Sequence, residues 1–571
     1  MGPECPREVP VQAHFDDRWK KPGLILFIAL ATAACRGQIA GNPGANGVSG
    51  SGGSGATADP NAAGLMPLRR LTAREYLNTV RDLLGDKSLA TGDVPNESDD
   101  LSNNAFPFRQ PGAIGSFEAG NLQSAAEALA KNAATKLASL LPCTPSGSSD
   151  EAACANQFIT TFGQKAYRRP LSATESANLT ALYQTARTTL ALDFNGAVDL
   201  LIEAMLQAPG FVYHWEMDPG PAVKDGNVVQ LGNYQIANRL SYFLWGTMPD
   251  AALFTAAAAG QLTTVSGLQA QVQRMLADAK TADMAADFFD DWLDVNVLPT
   301  RPKDPTLYPM WNQDLASAME TEFRAFGSAT LTGSGSFMDL MTGTSTSVNQ
   351  ALAAVYGVSG ITGTTPKPAT LDASQRSGLL TLAGFLTVTG ASDGSSPVRR
   401  GHAIYTRLLC DVLSDPPNNV PPPQPPTPGL TTRQRFEQHD LNACTGSCHN
   451  AMDPIGFGFE HYDGIGAFRM TDQTLPIDSS GQIPLDGNTQ TFPDALALTQ
   501  QLAASPQVQS CFARQWMRYA LNRWDGTADL ASVQSATAAF TASGNMRDLI
   551  AAVATSRTFR YRAPAPGEVL P

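Results

Sequence analysis

Residues 72–85 read Thr-Ala-Arg-Glu-Tyr-Leu-Asn-Thr-Val-Arg-Asp-Leu-Leu-Gly. The helical pattern of this stretch recurs along much of the chain and decides the fold class. Thr72 followed three residues later by Glu75 is a capping box, in which each side chain bonds the other residue's backbone N–H at the start of a helix. Apolar side chains then recur at helical spacing, and Gly85 is the residue type that commonly ends a helix. The stretch therefore predicts a short amphipathic helix.

The helical pattern continues along most of the sequence. A second capping box, Ser172 to Glu175, opens another helix, and Pro209-Gly210 ends the helix predicted at 193–206. Alternating patterns typical of strands are scarce. The Pro-rich segment 415–429 cannot be helical, because proline lacks the amide hydrogen, and is predicted to lie extended on the surface. We therefore predict a mostly α protein, built of several small helical modules in series with a Pro-rich surface connection.

Length and charge limit the possible functions. A chain of 571 residues is too long for one ordinary core, and three to five domains are expected. The formal net charge is −13. Because an acidic surface repels phosphate backbones, nucleic acid is excluded as an expected partner.

The N-terminus has the pattern of an export signal. Two lysines precede an apolar run of about twelve residues, Gly23–Ala34, too short to span a bilayer but suited to a signal-peptide core. Small residues lead into Cys35, as in the cleavage box of bacterial lipoproteins, where the cysteine becomes the lipid attachment site. An ordinary cleaved signal and an N-terminal anchor are alternatives, and all three export the protein. We predict a lipoprotein signal peptide at 1–34 and a flexible Gly/Ser-rich tether at 35–64.

This signal predicts a location in the periplasm or at the cell surface, with a lipid as the only membrane anchor. Thiols oxidise to disulfides in such compartments. Six of the eight cysteines lie beyond Cys35. An even number of cysteines is left to form disulfides whether Cys444 and Cys448 bind a cofactor or bridge each other, so the count does not decide between the two. The other four are disulfide candidates, with a local pair across a Ser/Gly-rich loop and a long-range pair left by elimination: Cys143 with Cys154, and Cys410 with Cys511.

Residues 444–449 read Cys-Thr-Gly-Ser-Cys-His and carry the clearest chemical signal. Two thiols and an imidazole within six residues suit a covalently attached haem, since thiols add to the porphyrin vinyl groups and His449 can supply an axial nitrogen to iron. The usual c-type signature leaves two residues between the cysteines, and this chain leaves three. Flexible Gly446 can still let both sulfurs reach the porphyrin edge.

Other interpretations of the same residues remain open. Cysteines four apart on one helical turn have Cα atoms about 6 Å apart, which is within the range of a disulfide. A free thiol pair is a further possibility, and zinc would want four ligands, for which His439 and His461 are the nearby histidines. A haem would also need a sixth ligand or an open position. The candidates for that sixth position are Met470, Met517 and His461.

Charged residues near this segment also admit two interpretations. Asp453, Glu460 and Asp463 carry oxygen ligands that suit calcium, but EF-hand spacing is lacking and loop carboxylates commonly cap turns. The Arg399-Arg400 pair suits haem propionates or Asp453, or else a structural salt bridge. His214, a single histidine remote in sequence, is predicted to be a packing residue.

Seven short stretches between residues 67 and 560 carry a resemblance to a known family. They are Arg69–Gly85, Ala166–Leu171, Ala237–Trp245, Val348–Gly357, Ser395–Gly401, Cys448–Glu460 and Cys511–Arg523. Together they resemble the planctomycete-type, cytochrome-c-associated multidomain family, whose tandem domains were defined by sequence as domains of unknown function. The family motif is usually Cys-x-x-Cys-His, which is one residue shorter than the segment in this chain.

The resemblance implies a redox-related role but brings no established activity with it. It also implies modules in series, one of which contains a cytochrome-c-like segment. The predicted modules are 65–142, 143–215, 216–372, 373–475 with the Cys/Cys-His segment, and 476–571.

Three functions follow as hypotheses. The first is an exported lipoprotein that carries haem c and passes electrons to a redox partner or another cell-envelope protein. The second is a cofactor-free, disulfide-stabilised binding or scaffold protein of the cell surface. The third is a haem-dependent extracellular oxidoreductase, although no phosphate-binding loop, nucleophile elbow or zinc-protease motif identifies a substrate.

Overall fold

The computed structural model describes most of the chain, apart from the N-terminus and several shorter segments. The described residues are 58–94, 98–100, 108–110, 114–214, 216, 223–413, 428–440, 446–564 and 568. The predicted signal peptide, Cys35, residues 35–57 of the predicted tether and most of the Pro-rich connection lie outside them, so these predictions stay predictions.

A first hydrophobic core is formed by helices from the N-terminal part of the chain. Its centre includes Leu129, Phe158, Leu201 and Met205, all with no more than 1% exposure. The helices are α1 Ala73–Leu84, α2 Ser116–Ala134, α3 Leu137–Leu140, α4 Ser148–Tyr167, α5 Ala173–Thr188, α6 Phe194–Gln207 and α7 Pro209–Val212.

A second and larger core takes up the helices that follow. Its centre is rich in aromatic side chains, among them Phe288, which stacks on Trp516 with ring centroids 3.6 Å apart. The helices are α8 Asn233–Trp245, α9 Ala251–Ala258, α10 Val265–Leu276, α11 Lys280–Trp292, α12 Gln313–Thr332, α13 Phe337–Thr342, α14 Gln350–Tyr356, α15 Ala383–Val388, α16 Pro397–Arg407, α17 Thr432–Asp440, α18 Gly446–Gly456, α19 Ala495–Ala504, α20 Pro506–Leu521, α21 Leu530–Ser543, α22 Met546–Thr555 and α23 Arg557–Arg560.

The strands are short and pair antiparallel in small sheets. The pairs are β1 Arg69–Arg70 with β4 Tyr213–His214, β2 Ser98–Asp100 with β3 Phe108–Gln110, β7 Ser345–Val348 with β8 Lys367–Thr370, β9 Thr471–Asp472 with β10 Leu475–Pro476, and β11 Gly481–Leu485 with β12 Asn488–Phe492, while β6 Val228–Gln230 lies between β5 Val223–Asp225 and β13 Tyr561–Arg562. The mostly α prediction is confirmed. Across the described part of the chain, no helix is both long and apolar enough to traverse a bilayer.

The predicted helix signals are confirmed where they begin α1. The Thr72 hydroxyl accepts a hydrogen bond from the backbone N–H of Glu75 at 3.1 Å, and the Glu75 carboxylate accepts one from the N–H of Thr72 at 2.8 Å. Gly85 ends the helix in the left-handed region, with φ of 63°, where glycine meets no steric penalty.

Both predicted disulfides are present. Cys143 is bonded to Cys154 within the first core region, and Cys410 is bonded to Cys511 across a sequence separation of 101 residues. The second bond joins the end of α16 to α20. It therefore fixes the helix that packs against α18, which carries the Cys/His segment.

Candidate functional site

Helix α18 carries Cys448 and His449 and is clamped against α16 by direct backbone contact. A Cβ atom added at Gly401 would lie 1.9 Å from the Met452 carbonyl oxygen, and one added at Gly456 would lie 1.9 Å from the Pro397 carbonyl oxygen. Only glycine permits so close an approach. The two contacts show that the helices are antiparallel and that α18 has little room to shift along α16.

The His449 ring is held by a carboxylate one helical turn further on. His449 Nδ1 lies 3.0 Å from Asp453 Oδ2, and the Asp453 residue is fully buried. An ionised carboxylate at this position would accept the Nδ1 hydrogen, since it can only accept a hydrogen bond. A histidine that ligates a metal commonly donates its other ring N–H to a carboxylate in this way. The arrangement therefore fits a metal-binding His449 with Nε2 as the ligand atom.

The two thiols of the segment are beyond what the structure describes. Cys444 lies outside the described residues. The backbone of Cys448 lies in the first turn of α18, but its side chain is outside the description. Haem attachment and a Cys444–Cys448 disulfide therefore both stay predictions.

The three candidates for a sixth haem ligand occupy different environments. The Met470 side chain is 67% exposed, whereas Met517 on α20 is fully buried in the larger core. His461 Nδ1 donates to the Arg469 carbonyl oxygen at 2.9 Å, and its ring stacks on Phe468. The side chain of His439 lies outside the description. The sixth ligand stays a prediction.

An open cleft of about 830 Å³ lies beside α18, between α17 and the β11–β12 hairpin. Its size is typical of a small-molecule site. The cleft is lined on the α18 side by Asn450 and Pro454 and elsewhere by Phe457, Phe492 and Arg433. The Arg433 guanidinium lies over the Phe457 ring, 4.8 Å from its centroid.

The remaining carboxylates of this region have structural partners. Glu460 accepts from the Ser395 hydroxyl at 2.8 Å and from Arg469 at 3.1 Å, and burial raises its pKa. Asp463 accepts from the backbone N–H groups of Ile465 and Ala467, both at 2.9 Å, as a turn former does. Within the described residues, no three His, Cys, Asp or Glu side chains group together as metal ligands.

Of the interpretations predicted for the Arg399-Arg400 pair, the structural salt bridge is present, between Arg400 and Glu460. Fully buried Arg400 donates to four backbone carbonyls, those of Leu386, Phe459, Tyr462 and Asp463, and lies 4.0 Å from Glu460. Arg399 donates to the Gly390 carbonyl at 3.0 Å. Arg400 therefore ties α16 to the chain that follows α18.

A second polar site, which we call the junction pocket, lies where the two cores meet. It encloses about 80 Å³ and is lined by residues that include Glu75, His214, Arg74, Asp287 and Tyr519. The Arg74 guanidinium lies 2.5 Å from Asp287, which also pairs with Arg324 at 2.8 Å. Its lining carries charges of both signs, most of them paired.

The Glu75–His214 pair lines the junction pocket, and no pattern in the sequence predicts this contact. His214 Nε2 lies 3.2 Å from Glu75 Oε2, and Nδ1 lies 3.2 Å from Asn238 Nδ2. Burial first, and then the charge of Arg69, lower the pKa of His214 to about 4. For Glu75, burial alone would raise the pKa, but the contacts with Arg69 and His214 hold that pKa below its usual range. The predicted packing residue thus also forms a polar contact, across 139 residues of sequence.

Five family models match consecutive parts of the chain, and each describes proteins of unknown function. They are DUF1587 at residues 69–135, DUF1595 at 154–216, DUF1592 at 231–358, DUF1588 at 376–472 and DUF1585 at 488–559. The protein is therefore a tandem array of five such domains. It belongs to the planctomycete-type, cytochrome-c-associated multidomain family. Neither curated proteins nor solved structures give a match to the chain.

The two sites are distributed differently over these matches. His449 and Asp453 both lie within the DUF1588 match. The junction pocket takes Glu75 from the first match, His214 from the second, Asp287 from the third and Tyr519 from the last. The pocket therefore forms only when four of the five domains pack together.

Proposed function

We propose that the protein is an exported, lipid-anchored electron-transfer protein in which Cys444, Cys448 and His449 hold a c-type haem. The observation that carries the proposal is the His449–Asp453 contact of 3.0 Å on a helix clamped by backbone contacts. The two thiols would anchor the porphyrin edge, and His449 Nε2 would supply the axial nitrogen. When bound, the haem supplies a one-electron couple at iron.

The disulfides support the exported location. Cys143–Cys154 and Cys410–Cys511 bonds are typical of oxidising compartments such as the periplasm and the cell surface. A lipid on Cys35 would keep the protein at the membrane, close to a redox partner of the cell envelope.

The test is the intact mass and the spectrum of the full chain made in a host with haem-maturation genes. We expect a gain of one porphyrin that survives denaturation, together with a pyridine haemochrome spectrum. The Cys444→Ser/Cys448→Ser double variant should be colourless, and His402→Gln, a histidine on α16, serves as the matched control that keeps the haem. A colourless wild-type protein would contradict the proposal.

The second candidate function is a cofactor-free binding or scaffold protein of the cell surface. The junction pocket favours it, because four domains assemble a polar pocket that does not involve His449. The same mass spectrum separates the two functions. A colourless protein that lacks two hydrogens at Cys444 and Cys448 would carry a third disulfide and would support this alternative.

A further inference from the structure

We infer that Asp453 is a positioning residue that fixes the orientation and electron-donor strength of His449, so that an iron bound there has a low reduction potential. The inference rests on the proposed function. It names a role for a carboxylate that sequence alone presents as a turn former or an oxygen ligand. Asp453 does not touch the metal in this account and acts only through the imidazole.

The geometry of the His449–Asp453 pair is set by α18 and by its packing against α16. His449 and Asp453 are four residues apart, so they lie on the same side of α18 one turn apart. Their contact is set by the helix itself. The glycine contacts at Gly401 and Gly456 prevent the helix from sliding or rotating against α16. With the helix held in this way, the contact with Asp453 orients the His449 ring.

The Asp453 carboxylate has few hydrogen-bond partners for a fully buried group. Some buried carboxylates among the described residues face an arginine: Glu75 pairs with Arg69, and Asp529 pairs with Arg523, in each case at 2.8 Å. Others, such as Glu322, accept hydrogen bonds from two hydroxyl groups instead. Among the described residues, the side chain that bonds Asp453 is His449 alone, and Asp453 Oδ1 is buried with no hydrogen-bond partner.

A buried carboxylate without a full counter-charge is costly. The cost falls when the imidazole that it contacts carries positive charge, whether from a proton or from a metal ion at Nε2. A cation bound at Nε2 would therefore be favoured by the carboxylate in contact with Nδ1. Nothing comparable holds His461, whose Nδ1 donates to a neutral backbone carbonyl.

The consequence for a bound iron follows from the ligand chemistry. A carboxylate that accepts the Nδ1 hydrogen makes the imidazole a more basic ligand. A more basic ligand stabilises the oxidised metal more than the reduced metal, and this lowers the reduction potential. Residues that support a ligand in this way commonly change metal affinity or activity by about 10-fold to 100-fold when they are replaced.

The first experiment measures the reduction potential of the haem-loaded full chain and of its Asp453→Asn variant. Asparagine keeps the shape and an acceptor oxygen but removes the charge. We expect the variant to retain the haem and its potential to rise by about 59 mV, which corresponds to a tenfold change for one electron. The iron–histidine stretching frequency should fall, because the ligand becomes a weaker donor. Asp453→Glu, which keeps the charge, should recover part of both shifts.

The control is Asp463→Asn, which removes the same charge from the same domain while keeping an acceptor for the Ile465 and Ala467 amides. It should leave the potential unchanged. A haem-loaded Asp453→Asn protein with the wild-type potential would overturn the inference. An equal shift in both variants would overturn it too, because the effect would then be a general one of charge.

The second experiment needs neither haem nor a variant. Nitrogen-15 NMR of the cofactor-free wild-type chain reports which ring nitrogen of His449 carries the hydrogen. We expect hydrogen on Nδ1, in contact with Asp453, and a neutral ring protonated only on Nε2 would overturn the inference. A wild-type chain that never acquires haem would contradict the proposed function instead, so the two failures are distinguishable.

Discussion

Two short regions of the chain, at 69–75 and 169–175, have the same local structure and different surroundings. In each, an arginine lies six residues before a glutamate that closes a capping box with Thr72 or Ser172. Arg69 Nη1 lies 3.0 Å and 2.8 Å from the two Glu75 oxygens. In the second region the arginine and glutamate are also within 3 Å of each other. We call the two regions the first clasp and the second clasp.

The surroundings of the glutamates differ in burial and in remote contacts. The Glu75 side chain is 11% exposed, and it also meets His214, which lies far along the chain. The Glu175 side chain is 27% exposed. The second clasp only begins a helix, whereas the first clasp begins a helix and forms part of the junction between the two cores.

The comparison shows which part of a motif is local and which part is made by the fold. The capping function depends on residues within one turn, and it is the same in both clasps. The junction depends on β4, which pairs with β1 and brings His214 to Glu75. Three predictions test this distinction between the two clasps.

Removal of the glutamate charge should cost far more in the first clasp. Glu75→Gln leaves Arg69 and His214 facing a neutral amide in a buried site, and we expect a loss of about 3 kcal/mol in the free energy of unfolding. The matched Glu175→Gln change keeps a side chain that can still form the capping box, and should cost about 0.5 kcal/mol. Urea unfolding at pH 7 with disulfides intact measures both. Equal losses would show that the junction adds nothing to the cap.

The second prediction concerns pH and uses His214. Its pKa is about 4 in the folded protein, below the ordinary value of 6.5, so between these values the unfolded chain binds a proton that the folded chain does not. The stability that neutral His214 contributes is therefore fully present above pH 6.5 and is lost as the pH falls toward 4. Relative to His214→Gln, the wild type should lose about 2 kcal/mol between pH 7 and pH 5.

The measurement is the unfolding free energy of both proteins across this pH range. His402→Gln provides a control on a less buried histidine, whose pKa burial also lowers. Parallel curves for wild type and His214→Gln would contradict the prediction. Such curves would mean that His214 binds its proton equally in the folded and unfolded states.

Much of the fold could be predicted from local sequence, because its signals are local. Both capping boxes, the helix end at Gly85 and the local Cys143–Cys154 disulfide are confirmed. The long-range Cys410–Cys511 disulfide is also confirmed, but it was predicted by elimination and not from a local signal. The Glu75–His214 contact could not be predicted in this way, since a single histidine carries no periodic or spacing signal. It becomes visible only when β1 and β4 are paired.

The candidate site at α18 also has one part that the sequence predicts and one part that only the packing shows. The sequence indicates His449 as a metal ligand. If residues 449–453 are helical, their spacing also places Asp453 on the same face as His449. What the sequence could not show is that Asp453 is fully buried and faces no arginine among the described residues. That property depends on the packing of α16 and the hairpin around α18. The two thiols, which decide the cofactor, stay at the level of prediction.

The last prediction concerns the arginines of the two clasps. Here we expect the larger loss of stability in the second clasp, whereas for the glutamates we expect it in the first. Arg169 uses two nitrogens, with Nη1 2.9 Å and Nη2 2.8 Å from the two Glu175 oxygens, whereas Arg69 uses Nη1 alone. A lysine ammonium can replace a single donor but not a planar fork. We expect Arg169→Lys to lower the free energy of unfolding by about 1 kcal/mol and Arg69→Lys to lower it by about 0.3 kcal/mol. Urea unfolding at pH 7 measures both. A larger loss for Arg69→Lys than for Arg169→Lys would contradict this prediction. It would mean that the burial of the ion pair, and not the number of donor nitrogens, determines how much each arginine stabilises its clasp.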